Sequence, residues 1–151
     1  MSTPLFVVAE TPALLAGMPY PGPETDWDDL HRRGFARVVR LHPGDYDPAP
    51  LVAHDLPLED LFGGRSPTDP DAEQERVWEA ARLVADFVAE GDGVLVHCVG
   101  GTGRTGTVLA CAVRRLGRPT DEAIATVRSH RPHWPESAWQ EDVVRRLPEV
   151  P

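Results

Sequence analysis

One stretch of the chain combines a nucleophile, an anion ligand and the backbone to hold them: His97-Cys98-Val99-Gly100-Gly101-Thr102-Gly103-Arg104-Thr105-Gly106. A cysteine closes a short apolar run, and a glycine-rich turn of five residues leads to an arginine that opens a helical pattern. Glycines at 100, 101 and 103 let successive backbone N–H groups converge on one point, which makes an anion-binding nest from Val99 to Gly103. The start of a helix adds about half a positive charge at the same place. Arg104 contributes a planar two-pronged donor matched to two phosphate oxygens. A thiol in such a cup is expected to ionise readily, since cysteines at helix N-termini drop from about 8.5 to roughly 3.5–7.5. The chemistry implied is attack by a thiolate on a bound tetrahedral anion.

The elements that must position this segment follow from periodicity. Val94-Leu95-Val96 reads as a buried central strand, and Thr105–Leu116 as a buried helix behind the turn. Upstream, Leu5–Ala9 reads as an edge strand. A helix begins near Thr25 as cap and stops at Gly34, Phe35–Leu41 reads as a strand, and Asp55–Leu58 as a short or edge strand because of Pro57. Residues 59–71 carry loop chemistry, and Ala72–Glu90 is helical with Val77, Ala80, Ala81, Val84, Phe87 and Val88 on one face. Thr120–His130, with Thr120 as cap, and Ala138–Leu147 complete the pattern. Strands alternating with helices predict an α/β fold, a central mostly parallel sheet flanked by helices, in one domain spanning 1–151.

Composition narrows the function. The 151 residues suffice for one core burying roughly 70% of the unfolded surface. A net charge of −9 argues against nucleic acid or anionic lipid as partner. Every basic residue is Arg, which excludes Schiff-base lysine chemistry and the Gly-Lys-Ser/Thr ending of a P-loop. Pro and Gly, 16 and 13 residues, make about a fifth of the chain, short of the low-complexity range of about 25–30%. Two cysteines form no disulfide framework, no basic and apolar leader opens the chain, and no run approaches the roughly 20 apolar residues of a membrane span. These features predict a cytoplasmic protein, with no membrane or nucleic-acid partner and a monomeric state. His31, His42, His54, His130 and His133 show no metal-ligand spacing, so neither metal nor cofactor is expected.

The sequence His97-Cys98-x5-Arg104-Thr105 with Gly101 between resembles the signature of the cysteine-dependent protein tyrosine phosphatases, in their compact dual-specificity-like branch. The resemblance implies that Cys98 attacks phosphorus and forms a phosphocysteine. It implies that Arg104 and the amides of Val99, Gly100, Gly101, Thr102 and Gly103 hold the phosphate oxygens. His97 would orient the loop, and the Thr105 hydroxyl would assist the sulfur as leaving group. The family needs a general acid on a separate loop. Leu56-Pro57-Leu58-Glu59-Asp60 is similar to its hydrophobic-Pro-hydrophobic-x-Asp pattern, although Asp60 lies 38 positions before Cys98, more than usual. Asp69, 29 positions before, is the alternative, and Asp60 is favoured by its flanking residues. Arg131-Pro132-His133-Trp134-Pro135-Glu136-Ser137-Ala138-Trp139-Gln140 resembles a further segment of the family, which implies that Gln140 orients the hydrolytic water. The Trp134-Pro135 pair departs from the commoner small residues there.

The resemblance thus implies a metal-independent phosphatase with a phosphoprotein substrate and a phosphate or sulfate-like anion in the cysteine loop. Two alternatives stand beside it: a phosphopeptide-binding pseudophosphatase and a rhodanese-like sulfur transferase. A dinucleotide reading of Gly101-x-Gly103-x-x-Gly106 fails, because Asp121 opens a helix where a second strand should end. Cys111, Trp78 and Trp139 fall where packing is expected, Trp134 is open between packing and ligand contact, and Arg65 is expected in solvent. Uncharged side chains in the turn disfavour polyanionic phosphoinositides and leave phosphotyrosine and phosphoserine or phosphothreonine both open.

Overall fold

The computed structural model describes residues 4–149. Five strands, β1 (Phe6–Ala9), β2 (Leu15–Met18), β3 (Phe35–Arg40), β4 (Val52–Asp55) and β5 (Gly93–His97), form one sheet in the order β1-β2-β5-β3-β4. β1 and β2 pair antiparallel; β2 with β5, β5 with β3 and β3 with β4 pair parallel. The sheet is therefore mixed and mostly parallel. The helices are α1 (Trp27–Arg32), α2 (Pro70–Ala89), α3 (Gly103–Arg115), α4 (Thr120–His130) and α5 (Ala138–Arg146).

β5 is buried at every position, and apolar as far as Val96, because both faces of the sheet are covered. Val94 and Val96, with Val39 of β3, pack into a core shared with α2, α3, α4 and α5. Leu95 and Val38 point the other way, into a smaller core with Leu30 of α1, Phe35 and Leu51. Helix α3 runs through the larger core and is buried all round from Gly103 to Val113. Its N-terminus and the carboxyl end of β5 meet at one place, where ligands of parallel sheets are usually held.

Several boundaries differ from the sequence expectation, each for a local reason. β2 was not foreseen: Leu-Ala-Gly-Met is short, and Gly17 weakens the strand signal. That glycine is needed, because Phe6 and Leu109 fill the space a Cβ would occupy. β4 ends at Asp55 rather than starting there, since the Pro57 ring cannot donate to a ladder; its edge position is as expected. The α1 cap is Asp26, which accepts from Asp29 N at 3.0 Å, while Thr25 bonds Gly22 O. α4 starts at Thr120 with Pro119 as its cap, and the threonine hydroxyl makes no capping bond. α3 begins two residues earlier than its periodicity suggested, so Arg104 lies in its first turn.

Candidate active site

The cysteine loop is gripped from below. Gly101 has φ +75°, and a Cβ there would stand 2.7 Å from the Met18 carbonyl at the end of β2. Only glycine combines that backbone with that closeness. Cys98 is 3% exposed, and its Sγ accepts a hydrogen bond from Thr105 Oγ1 at 3.1 Å. Val99, the next residue, is half exposed, so the loop rises from the buried sulfur to solvent within one step. Arg131 donates from Nε to Gly101 O at 3.1 Å and lies over the Phe6 ring, bringing a second guanidinium to the loop. Burial pushes the Arg131 guanidinium down, and the nearby Cys98 opposes that shift.

His97 is fully buried and its two nitrogens have distinct partners. Nδ1 lies 2.9 Å from Cys98 O and must donate to it; Nε2, 2.6 Å from Tyr46 Oη, then accepts the phenol proton. Accepting the phenol proton at Nε2 requires neutral imidazole. Burial pushes His97 below its ordinary value, the Cys98 carbonyl partly opposing. Burial likewise pushes Tyr46 up to about 12, so the phenol stays a donor. Tyr46 is itself stacked on Trp27, its centroid 5.3 Å away, and lies under Arg40, which grips Asp55 with two bonds of 2.7 and 2.9 Å.

Arg104 reaches from the first turn of α3 toward two other loops. Its Nη1 donates to Leu58 O and to His42 Nδ1, both at 3.3 Å, and Nη2 is 3.9 Å from Asp60 Oδ2. Asp60 is 57% exposed, with its other oxygen accepting from Phe62 N at 3.0 Å. The two candidate acids thus part company. Asp60 stands beside Arg104, whereas Asp69 is the N-cap of α2 and accepts from Ala72 N at 3.2 Å. Arg65 pairs with Glu59 at 3.7 Å and is largely exposed.

The C-terminal segment closes the back of the site. Gln140 is buried; its Oε1 accepts from Glu136 N at 2.8 Å and from Ser137 N at 3.3 Å, and its amide nitrogen faces Gly103. Glu136 also crowds Gly103, where any Cβ would strike its carboxyl. Burial, and then the negative charge of Asp60, push the Glu136 carboxyl above its ordinary range, while Arg104 opposes. Trp134 is buried against Gly106 and donates to Thr107 Oγ1 at 3.1 Å, which makes it a packing residue. Cys111, in the same helix, is sealed in the core, and burial pushes its thiol up to about 12.

A family model described as "Tc-R-P: Polymorphic toxin system, DSP-PTPase phosphatase" matches residues 28–118, which include the Asp60 loop, the cysteine loop and all of α3. The chain belongs to this DSP-PTPase phosphatase family.

Relatives of the chain include the tyrosine-protein phosphatase cdc-14 of Caenorhabditis elegans, 30% identical over 119 residues, which are 77% of this chain and 16% of that protein. The human protein tyrosine phosphatase type IVA 3 is 30% identical over 105 residues, 69% of this chain and 60% of the relative. The chain thus spans about a sixth of the worm protein's length and less than two thirds of the human one. Among solved structures, Tk-PTP in its active form superposes with a TM-score of 0.69 at 29% identity, covering 88% of this chain and 90% of its own. A mouse putative dual specificity phosphatase complexed with zinc tungstate gives a TM-score of 0.73 at 21% identity over 97% of this chain and 87% of its own, a likeness of fold.

The sequence alone assigns no role to His42, Tyr46, Arg131 or Glu136. His42 and Tyr46 follow the carboxyl end of β3, where a parallel sheet places ligand-facing residues, and that position was the available signal. Arg131 and Glu136 stood as fixed points of the Arg-Pro-x-x-x-Glu segment, but only packing brings them to Gly101 and Gly103.

Proposed function

We propose that the chain is a metal-independent phosphomonoester hydrolase acting on phosphoprotein, with Cys98 as nucleophile. The carrying observation is that Asp60, from a loop 38 positions upstream, stands 3.9 Å from Arg104 at the same loop as the buried sulfur of Cys98. Arg104 and the amides from Val99 to Gly103 hold the phosphate oxygens. Cys98 attacks phosphorus as the thiolate, the phosphorus–oxygen bond to the substrate breaks, and protonated Asp60 gives its proton to the leaving oxygen. In the second step Asp60 takes a proton from water, the water oxygen attacks phosphorus, and the sulfur–phosphorus bond breaks to release phosphate. The Thr105 hydroxyl, 3.1 Å from the sulfur, stabilises the charge that returns to it. His97, held neutral between Tyr46 and the Cys98 carbonyl, fixes the loop's first peptide. Gln140 caps the start of α5 with its carbonyl, which two amides engage, and turns its amide nitrogen toward Gly103.

The net charge of −9 supports a protein substrate over nucleic acid or anionic lipid. Two free, buried cysteines support a reducing, cytoplasmic setting, and no helix among the described residues is long and apolar enough to cross a membrane. The test is a panel of phosphotyrosine, phosphoserine and phosphothreonine peptides and p-nitrophenyl phosphate, with and without chelator. Turnover that survives chelator and vanishes in Cys98→Ser, which still binds vanadate or tungstate, is expected. Full activity in that variant, or peptide binding with no hydrolysis by the wild type, overturns the reading.

A further inference from the structure

The segment from Leu58 to Asp69 has the makings of a loose loop. Phe62 at its tip is 71% exposed, and Gly63 and Gly64 follow with φ of +87° each and open space around them. An acid on such a segment would be poorly aimed, and proton transfer needs heavy atoms within about 2.6–3.2 Å. The base of the segment is nevertheless fastened. Leu58 N donates to Leu41 O at 3.0 Å, and its carbonyl accepts from Arg104. Glu59 accepts from Thr68 N and Thr68 Oγ1, both at 2.9 Å, which ties the two ends of the excursion together.

One further tie is out of the ordinary. The amide of Glu59, the residue before Asp60, donates at 2.8 Å to Oε2 of Glu73 in the first turn of α2. Glu73 is 2% exposed, and its only other partner among the described residues is Arg76, at 2.8–2.9 Å on Oε1. Burying a carboxylate is costly, and acids in a first turn serve the helix dipole equally well from solvent, as Asp71 does here. The helix N-terminus therefore does not account for the burial. What the burial achieves is an acceptor under the peptide that precedes Asp60. Glu73 also lines, with Leu58, Leu61, Gln140 and Arg104, a cavity of about 10 Å³, so the anchor lies directly behind the contact between the loop and Arg104.

We propose that Glu73 is the positioning residue of the general acid, setting the Asp60 loop in its working place from beneath. This rests on Asp60 being the acid. The role belongs to the acceptor atom and its reach, which separates it from a role in charge. Glu73→Gln keeps an oxygen at the same reach; Glu73→Asp keeps the charge and the pairing with Arg76 but draws the oxygens back by one methylene.

The test compares both variants with Asp60→Asn on two substrates: phenyl phosphate, whose leaving group needs a proton, and a difluorinated coumarin phosphate, whose leaving group does not. Glu73→Asp is expected to lower kcat on phenyl phosphate by about 10²-fold, the scale of a misplaced catalytic group. On the coumarin ester its kcat changes by less than about threefold, and KM and vanadate inhibition hold. Glu73→Gln stays within about threefold of wild type on both, and Glu73→Asp adds nothing further in the Asp60→Asn background. Should Glu73→Asp fail to melt cooperatively, Glu73→Ala takes its place with the same expectation. Equal losses on both substrates, a Glu73→Gln variant worse than Glu73→Asp, or losses that multiply with Asp60→Asn overturn the proposal. If Asp60→Asn itself loses equally on both substrates, the acid assignment falls; if only the Glu73 variants fail to discriminate, the anchor alone falls.

Discussion

Asp60 and Asp69 lie in one loop and differ in what their oxygens touch. Asp60 accepts from Phe62 N with one oxygen and holds the other 3.9 Å from Arg104, while Asp69 is engaged by Ala72 N at the start of α2. Asp60→Asn should therefore cost roughly 10²–10⁴-fold in kcat on phenyl phosphate, the worth of a general acid. Asp69→Ala should leave kcat near wild type and lower stability by about 1 kcal/mol, the worth of a cap. Urea unfolding and steady-state kinetics on both variants check this, and the reverse pattern would exchange the two roles. Thr105 makes a narrower prediction. Its hydroxyl bonds the sulfur, so Thr105→Ala should slow breakdown of the phosphocysteine by about 10–100-fold, equivalent to about 1.5–3 kcal/mol for a bond to a charged group. Rapid-mixing kinetics should then show a product burst before a slow steady state.

At the scale of elements, the cysteine loop depends on β2 as much as on its own glycines. Gly101 has φ +75° against the Met18 carbonyl, so Gly101→Ala must strain the loop or push it off β2. The positive φ alone costs about 1–2 kcal/mol. We expect weaker vanadate inhibition along with a lower melting temperature. Helix α3 carries both cysteines' fates: Cys98 stands at the loop before it, whereas Cys111 is sealed within it, its thiol raised to about 12. Native protein should take up one equivalent of iodoacetamide and denatured protein two, and Cys98→Ser should take up none until unfolded. Fast labelling of Cys111 in the native state would contradict the packing of α3.

Across the whole molecule, protonation links the site to stability. Burial lowers the His97 and His54 pKa values, Arg37 adding to the effect at His54, so the folded protein binds fewer protons at these groups than the unfolded chain. Their stabilisation is present above the ordinary histidine value of about 6.5 and is lost as pH falls through the lower folded values. Asp55 is held low chiefly by its bond to Arg40 and gives a second loss in stronger acid, while Glu136, raised by burial, works in the opposite direction. The urea midpoint should therefore fall between pH 7.5 and 5.5, with protons taken up on unfolding; a constant or rising midpoint would show that these histidines are not held neutral. Protonation of His97 removes the acceptor that Tyr46 uses, so acid should release Tyr46 from His97 before it unfolds the sheet.

Local chemistry in the chain determined the centre of the molecule. The run Val94-Leu95-Val96, the glycines before Arg104 and the pattern around Asp60 each carry their meaning within a few residues, because nests, buried strands and turn chemistry are set by short-range geometry. Tertiary structure alone decided the remainder. β2 exists because β5 and β1 pair with it, although its own four residues carry little strand signal. Tyr46 meets His97 from 51 positions away and Glu136 meets Gly103 from 33, contacts that depend on which loops the sheet order brings to one edge. Burial made the same distinction for like residues: two aspartates and two cysteines, equivalent as letters, differ in role because packing sets what each can touch.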